Sequence, residues 1–326
     1  MRAARLVAPG RFEVVEAPDP SPTPEQVVVR MHRASICGSD LHVVYDGFCQ
    51  HDFPAPAGYP GHEGVGMVLQ AGDEVVDVQA GDWVLTAPRP HDAGCFAGLQ
   101  AVDASSVVLL PEGADLDRVL MAQQLGTVLF AARRFLEGVP RTTAAVIGAG
   151  SVGTFFVQVL RRAGFHTIVI SDLEAHRLEV AAELGAAITV QAPRESLAQV
   201  VHDVTEGAGA DLVIEAAGYD RTRAEAIAAA APGARVGLFG FPESPGEAPF
   251  PFDLAFRKSL TIQTSVGSQQ EPDLRSFREA VSGIAAGDYE VGYLLAPAFP
   301  VERIQEAMEA ARARRGLKVS ITFGGS

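Results

Sequence analysis

The first hundred residues carry short apolar runs separated by glycine and proline. Three of these runs, at 25–31, 64–69 and 82–85, contain valine, leucine and methionine and little charge. Apolar runs of this length between Gly and Pro are typical of β-strands. This part of the chain therefore predicts a compact, mostly β, barrel-like domain.

A different pattern begins near residue 117. A helical segment is predicted over 117–138, and from residue 144 apolar strands alternate with helices. Such alternation indicates right-handed βαβ units and a parallel sheet. Six strands in this arrangement fit a doubly wound dinucleotide-binding fold. The predicted strands are 144–147, 167–170, 187–190, 211–215, 235–239 and 259–264.

The segments around and after the alternating region have their own predictions. The stretch 241–252 contains four prolines and is predicted to be a loop. Two amphipathic helices are expected at 274–286 and 301–313, followed by a strand at 318–323. Glu215, at the end of the fourth alternating strand, is predicted to have a structural role.

Composition narrows the possible partners. The 326 residues are 48% hydrophobic and carry a net charge of −14, which argues against nucleic acid or an anionic membrane as partner. No apolar run reaches the length of a membrane-spanning helix. Three cysteines, Cys37, Cys49 and Cys95, build neither a disulfide framework nor a four-cysteine zinc site within this chain. We therefore expect a cytoplasmic protein.

A glycine loop follows the first alternating strand. Residues 148–153 read Gly-Ala-Gly-Ser-Val-Gly and stand directly before a predicted helix. Glycines in this context let the backbone approach a pyrophosphate at the helix N-terminus. Asp172 ends the next strand, where a carboxylate accepts ribose hydroxyls and favours NAD over NADP; a helix-capping Asp in a sharp turn is the alternative. The predicted cofactor contacts here are Gly148, Gly150, Val152, Gly153, Asp172 and Arg177.

Two further clusters contain residue types that bind metals. One reads Cys-Gly-Ser-Asp-Leu-His over 37–42, and the other reads Gly-His-Glu-Gly over 61–64. Thiolate and imidazole are good zinc donors, and a catalytic zinc needs three protein ligands. A buried thiol and a loop histidine without metal are the alternative.

The chain resembles the zinc-dependent medium-chain alcohol dehydrogenases, particularly the sorbitol, polyol, threonine and glucose dehydrogenase branch. The resemblance rests on these two clusters, on the Gly-Asp-Trp-Val at 81–84 and on the dinucleotide fold that follows. The resemblance covers essentially the whole chain. It implies an α/β protein with an N-terminal GroES-like β-barrel catalytic domain, residues 1–124 and 267–326, and a Rossmann domain, residues 125–266. It also implies a zinc- and NAD-dependent oxidoreductase acting on a secondary alcohol, polyol, sugar or amino alcohol.

The resemblance implies one catalytic zinc. Cys37 and His62 match the first two ligands, and Glu63 matches a glutamate close to the metal. Gln123 stands where relatives have cysteine or glutamate, with a shift by one to Gln124 left open. The lobe that carries a structural zinc in many relatives is deleted between residues 85 and 94.

The resemblance also implies a proton path and further cofactor contacts. Ser39 and His42 match a relay that takes the alcohol proton to solvent. Thr127 matches a residue near the nicotinamide ring, and Lys318 a base near the cofactor phosphate. The last alternating strand is expected to pair with its copy in a homodimer or homotetramer.

Two other functions are considered. One is a zinc-free NADPH-dependent enone or quinone reductase of the same superfamily. The other is a cofactor-binding protein without catalysis. The cysteine, histidine and glutamate set and the acid at Asp172 count against the reductase.

Overall fold

The computed structural model describes residues 1–49 and 51–324. The chain forms two compact units. Unit 1 comprises Met1–Gly126 and Gly267–Ser326, and unit 2 comprises Thr127–Val266. Each unit is described separately below.

The described residues contain fifteen strands. They are β1 (Arg2–Ala8), β2 (Arg11–Glu16), β3 (Gln26–Ile36), β4 (Glu63–Ala71), β5 (Trp83–Thr86), β6 (Leu99–Asp103), β7 (Val107–Leu109), β8 (Thr143–Ile147), β9 (Thr167–Asp172), β10 (Ile188–Gln191), β11 (Ala210–Glu215), β12 (Ala230–Leu238), β13 (Thr261–Thr264), β14 (Ala298–Pro300) and β15 (Val319–Thr322).

The same residues contain ten α-helices, with short 3₁₀ turns between some of them. They are α1 (Gly38–Tyr45), α2 (Leu116–Val119), α3 (Ala122–Phe135), α4 (Ser151–Arg162), α5 (Ala175–Glu183), α6 (Leu197–Val204), α7 (Asp220–Ala229), α8 (Phe252–Arg257), α9 (Arg275–Ala285) and α10 (Ile304–Arg312).

Unit 1 is organised around the long strand β3. Its eleven residues pair antiparallel with β4, β6 and β15, in a seven-stranded sheet ordered β14-β15-β3-β4-β5-β7 with β6 attached to β3. Val27, Val28, Val29 and Met31 are buried, whereas Arg30 and His32 are exposed. Val27, Val29 and Met31 lie on one face of β3, in the unit 1 core, as expected for a strand with a side-chain period of two.

Unit 2 contains a six-stranded parallel sheet in the order β10-β9-β8-β11-β12-β13. The central strands β8 and β11 are almost entirely buried, as expected where helices cover both faces of a sheet. Val169, Val213 and Val236 are completely buried in this core. The strand order reverses between β8 and β11, which is where open α/β sheets bind ligands. The predicted α/β fold class is confirmed.

Several local predictions were wrong. The helical segment at 117–138 is two helices, α2 and α3, and the Asp115 carboxylate starts α2 by accepting the backbone N–H groups of Asp117 and Arg118. The Cys-Gly-Ser-Asp cluster begins a helix, α1. The sequence did not predict it, because glycine and valine have low helix propensity. By contrast, the predicted loop 241–252 agrees with the structure up to Pro251, and α8 begins at Phe252.

No helix in the two described stretches is both long enough and apolar enough to cross a membrane.

Candidate metal and cofactor sites

Strand register brings the metal-binding residue types of unit 1 together. Ser35 of β3 pairs with Glu63, the first residue of β4, while Ile36 pairs with Val319 of β15. Cys37 follows β3 directly, and Lys318 precedes β15. Three segments far apart in sequence therefore end at one edge of the sheet.

Cys37, His62 and Glu63 form what we call the donor cluster. The Cys37 thiol, a His62 ring nitrogen and a Glu63 carboxylate oxygen all lie within 4.8 Å of one another. Across residues 1–49 and 51–324 this is the one group of three His, Cys, Asp or Glu side chains close enough to hold a metal ion. Sulfur, imidazole and carboxylate donors are those that zinc prefers, so the residues fit a zinc ion.

Asp40 orients the histidine of the donor cluster. Its Oδ1 lies 3.0 Å from His62 Nδ1, and its Oδ2 accepts the backbone N–H of Cys37 at 2.8 Å. One buried carboxylate thus contacts two of the three donor residues. A carboxylate on one ring nitrogen fixes the tautomer and leaves the other nitrogen for the metal. The sequence analysis missed this role, although Asp40 stands inside the quoted Cys-Gly-Ser-Asp motif.

Glu63 is fixed by two polar neighbours. Its Oε2 accepts the Ser35 hydroxyl and lies 2.6 Å from Lys318 Nζ, while Oε1 is buried without a hydrogen-bond partner in the described structure. One carboxylate oxygen is thus bound and the other is available to a cation. Lys318 is only 4% exposed, so its ammonium neutralises Glu63 in the interior. Lys318 thus has a partner within unit 1, and its expected contact with a cofactor phosphate stays a prediction.

Neighbouring charges in the donor cluster shift the pKa values of His62 and Glu63. Burial lowers the pKa of His62, but the Asp40 carboxylate and the Cys37 sulfur outweigh it and hold that pKa well above the ordinary value. Burial raises the pKa of Glu63, but Lys318 and His62 outweigh it and bring the pKa below its usual value. Glu63 is therefore an anion at neutral pH. Because a metal must displace the proton on the histidine, its binding strengthens as the pH rises.

Gln123, the expected third ligand, lies in the first turn of α3. It is 1% exposed, and its Nε2 has no hydrogen-bond partner within the described residues. Because rotation by 180° exchanges the two ends of an amide, the same side chain can turn its carbonyl oxygen to that position. A buried polar group without a partner is uncommon in folded proteins and is consistent with a ligand. Gln124, the alternative, is buried as well.

Ser39 and His42 lie three residues apart on α1, and therefore on one face of the helix. Both are partly exposed, whereas Asp40 between them is buried. His42 Nδ1 lies 2.8 Å from Asp46 Oδ2, and its ring makes an edge contact with Phe48. The structure thus gives the expected relay histidine an acidic neighbour that the sequence analysis did not identify.

The other cysteines differ from Cys37. Cys95 is completely buried, and burial holds the pKa of its thiol well above the usual value. Cys49 is partly buried, and its thiol donates to the His51 carbonyl. Cys95 thus behaves as a small core residue.

The glycine loop of unit 2 has the geometry that a dinucleotide needs. Gly148 follows β8 with φ of +98°, a conformation that favours glycine. A Cβ at Gly153 would overlap the Gly148 carbonyl oxygen, so this position requires glycine for close packing. Gly150 precedes α4, and the first backbone N–H groups of that helix, including that of Val152, have no acceptor within the helix. Such groups bind phosphate.

Asp172 ties the next strand to the glycine loop. Its Oδ2 accepts the Ala149 N–H at 2.7 Å, and its Oδ1 accepts the Glu174 N–H at 2.9 Å. A carboxylate has about four acceptor positions, so two remain for a ligand. Arg177 places a guanidinium nitrogen 3.9 Å from the position that a Gly150 Cβ would occupy. Thr127 lies on α3 and is partly exposed.

Comparison with known proteins identifies the family. A model of the alcohol dehydrogenase GroES-like domain matches residues 23–112, and a model of zinc-binding dehydrogenases matches residues 151–285. A Mycobacterium tuberculosis protein described as a probable zinc-binding alcohol dehydrogenase is 30% identical, over 97% of this chain and 86% of its own length. The chain belongs to the zinc-dependent medium-chain alcohol dehydrogenases.

Two further comparisons support the same family. The L-threonine 3-dehydrogenase of Bacillus subtilis is 29% identical, over 95% of each chain. The solved structure of an alcohol dehydrogenase from Thermus sp. ATN1 superposes with a TM-score of 0.86 at 28% identity, covering 99% of this chain and 100% of the other. The protein is therefore an oxidoreductase for small-molecule alcohols, in a family that uses zinc and a nicotinamide cofactor.

Asp40→Asn tests the orientation of His62. We expect zinc affinity to fall about 10–100-fold, the usual cost of losing a carboxylate behind a metal-binding histidine. Competition with a chromophoric chelator measures the affinity. Asp46→Asn is the matched control, since it changes the same residue type beside a different histidine of the same helix. Asp40→Asn protein that binds zinc as tightly as the parent contradicts the role.

Proposed function

We propose that this dehydrogenase oxidises a small secondary alcohol, polyol, sugar or amino alcohol with NAD, using one zinc ion held by Cys37, His62 and Gln123 with Glu63 beside it. The observation that carries the proposal is the donor cluster, whose three donor atoms lie within 4.8 Å of one another. The zinc-free reductase is disfavoured, because such an enzyme has no use for a buried thiol, imidazole and carboxylate set. When bound, zinc supplies Lewis-acid chemistry and NAD accepts a hydride.

The chain's own residues hold that chemistry in place. Asp40 fixes the ring of His62, and Lys318 keeps Glu63 ionised and still. Ser39, partly exposed on α1, takes the proton that the alcohol loses, and His42 on the same helix face passes it toward water. The relay is needed because an alcohol must lose its proton before hydride leaves.

The preference for NAD rests on Asp172. Its carboxylate is fixed by two backbone N–H groups, and its remaining lone pairs suit two ribose hydroxyls. The same negative charge repels the 2′-phosphate of NADP. Arg177 opposes this repulsion. Its guanidinium is close to the glycine loop and attracts the phosphate groups of either cofactor.

Removing the carboxylate of Asp172 tests this preference. We expect Asp172→Ser to lower kcat/KM with NAD and to reduce the ratio of kcat/KM with NAD to that with NADP. The reason is that the carboxylate no longer repels the 2′-phosphate of NADP. Steady-state kinetics with both cofactors measure the ratio. Asp172→Asn separates charge from hydrogen bonding, since an amide keeps one acceptor. Parent enzyme that uses NADP more efficiently than NAD contradicts the proposal.

The relay is tested by turnover. In a screen of NAD reduction over alcohols, polyols and sugars with zinc present, we expect Ser39→Ala to lose about 10²–10⁴-fold in kcat, the usual contribution of positioned proton transfer. His42→Ala should lose less, because water substitutes for an exit group. Val43→Ala, on the same helix, is the control for disturbed packing. Near-parental turnover of Ser39→Ala with full zinc content contradicts the relay.

We further propose that unit 2 forms a homodimer interface. Phe252 and Phe256 of α8 are 69% and 71% exposed, and their rings stack with centroids 5.9 Å apart. The nearby β13 is the last strand of its sheet and carries no charged residue, so nothing on it discourages pairing. Apolar surface of this kind marks interaction sites. The choice between dimer and tetramer, and the cytoplasmic location expected from the cysteine count, stay predictions.

Replacing both phenylalanines tests the interface. We expect Phe252→Ser combined with Phe256→Ser to shift the protein toward monomer, because the exposed rings supply apolar area that a second copy buries. Light scattering after size-exclusion chromatography measures the mass. Val76→Ser is the control, since Val76 is 88% exposed in unit 1. A parent that is monomeric, or a double variant of unchanged mass, contradicts the interface.

A further inference from the structure

Glu215 has no function in the chemistry described so far, yet it is completely buried and makes an unusual number of hydrogen bonds for one carboxylate. Its Oε1 accepts the backbone N–H of Ala217 at 2.8 Å, that of Gly218 at 2.7 Å and the hydroxyl of Thr222 at 2.9 Å. Its own carbonyl accepts the N–H groups of Phe239 and Gly240, both at 2.9 Å. One residue therefore fixes the backbone that follows both β11 and β12.

The position of this residue in the sheet gives the contacts a functional meaning. Glu215 pairs in register with Ile147, the residue before Gly148 of the glycine loop. β8 and β11 are the two strands between which the strand order reverses. The residues 215–219, here called the Glu215 turn, therefore form the wall opposite the glycine loop in the crevice where a dinucleotide binds.

The backbone at this wall is closely packed around three glycines. A Cβ on Gly148 would lie only 3.3 Å from Ala217, and Gly218 has φ of +86° and a Cβ there would overlap the Phe241 carbonyl oxygen. Gly240 likewise has no room for a side chain, because its Cβ would meet Glu215 Oε2 and the Gly218 backbone. A small relaxation of the turn thus changes the width of the crevice.

We infer that Glu215 is a positioning residue for the nicotinamide cofactor. It holds the N–H groups of the Glu215 turn away from the glycine loop, and this keeps the crevice open. The inference rests on the proposed function, since it needs a dinucleotide at that loop. Without the carboxylate, the N–H groups of Ala217 and Gly218 are buried and unpaired, and the turn rearranges to find acceptors. Burial raises the pKa of Glu215 against the opposing effect of these donors. A glutamine at this position keeps an acceptor oxygen for them without a charge.

Fluorescence titration of the full-length protein with NADH, and separately with NADPH, tests the inference without using enzyme activity. We expect Glu215→Ala to weaken NADH binding about ten- to hundredfold, the size of effect that buried unpaired donors produce. Glu215→Gln keeps the acceptor and should bind within a few fold of the parent. Glu225→Ala is the matched control, because Glu225 also accepts a backbone N–H in unit 2, that of Leu197, but from the middle of α7.

The outcomes are distinct. Weak binding by Glu215→Ala with rescue by Glu215→Gln, and parental binding by Glu225→Ala at a comparable loss of Tm, supports the role. Parental binding by folded Glu215→Ala, or Glu215→Gln as weak as Glu215→Ala, overturns it. If Glu215→Ala does not fold, Thr222→Val removes one donor and should weaken binding several-fold, and unchanged affinity overturns the role. A parent that binds neither NADH nor NADPH overturns the proposed function itself.

Discussion

A buried imidazole presents one nitrogen to a metal only when an acceptor holds the other, and in this dehydrogenase that acceptor is Asp40. Its carboxylate contacts His62 through one oxygen and the backbone of Cys37 through the other. Asp40 therefore links the ring of His62 to the backbone at Cys37. A second buried carboxylate, Glu63, is held by Ser35 and Lys318. His62 and Glu63 are therefore oriented by groups outside the donor cluster. Asp40 lies on α1, and Ser35 and Lys318 lie at strands of the unit 1 sheet.

Charge balance explains why so many ionic groups are tolerated in the interior. Taking a charge out of water is costly unless it is paired and hydrogen-bonded. Glu63 has its cation in Lys318, and Asp40 has the imidazole of His62. Oε1 of Glu63 has no hydrogen-bond partner among the described residues and is available to the divalent cation that we propose. In the proposed zinc site, Gln123 would add an oxygen donor without adding charge.

Sequence alone predicted the parts of the structure that depend on local pattern. The parallel sheet of unit 2 follows from alternating apolar strands and helices, and the glycine loop from a motif placed between strand and helix. The role of Asp40 was missed because a carboxylate within a glycine-containing motif gives no sign of its partner. The contact of Lys318 with Glu63 was missed because the two residues are about 250 positions apart, and only the pairing of β3 with β4 and β15 reveals it. The assignments of Ser39, Gln123 and Thr127 stay predictions.

The discontinuity of unit 1 has a consequence for synthesis on the ribosome. Residues 127–266 leave the ribosome before β14 and β15 exist, so unit 2 has all six of its strands while β3 still lacks its neighbour β15. Domains fold as units as the chain emerges, and unit 2 therefore completes its core first. Glu63 stays without Lys318 until the final segment emerges, and the charge-balanced donor cluster is among the last features of the protein to form. The residues proposed to bind the cofactor are thus complete before those proposed to hold the metal.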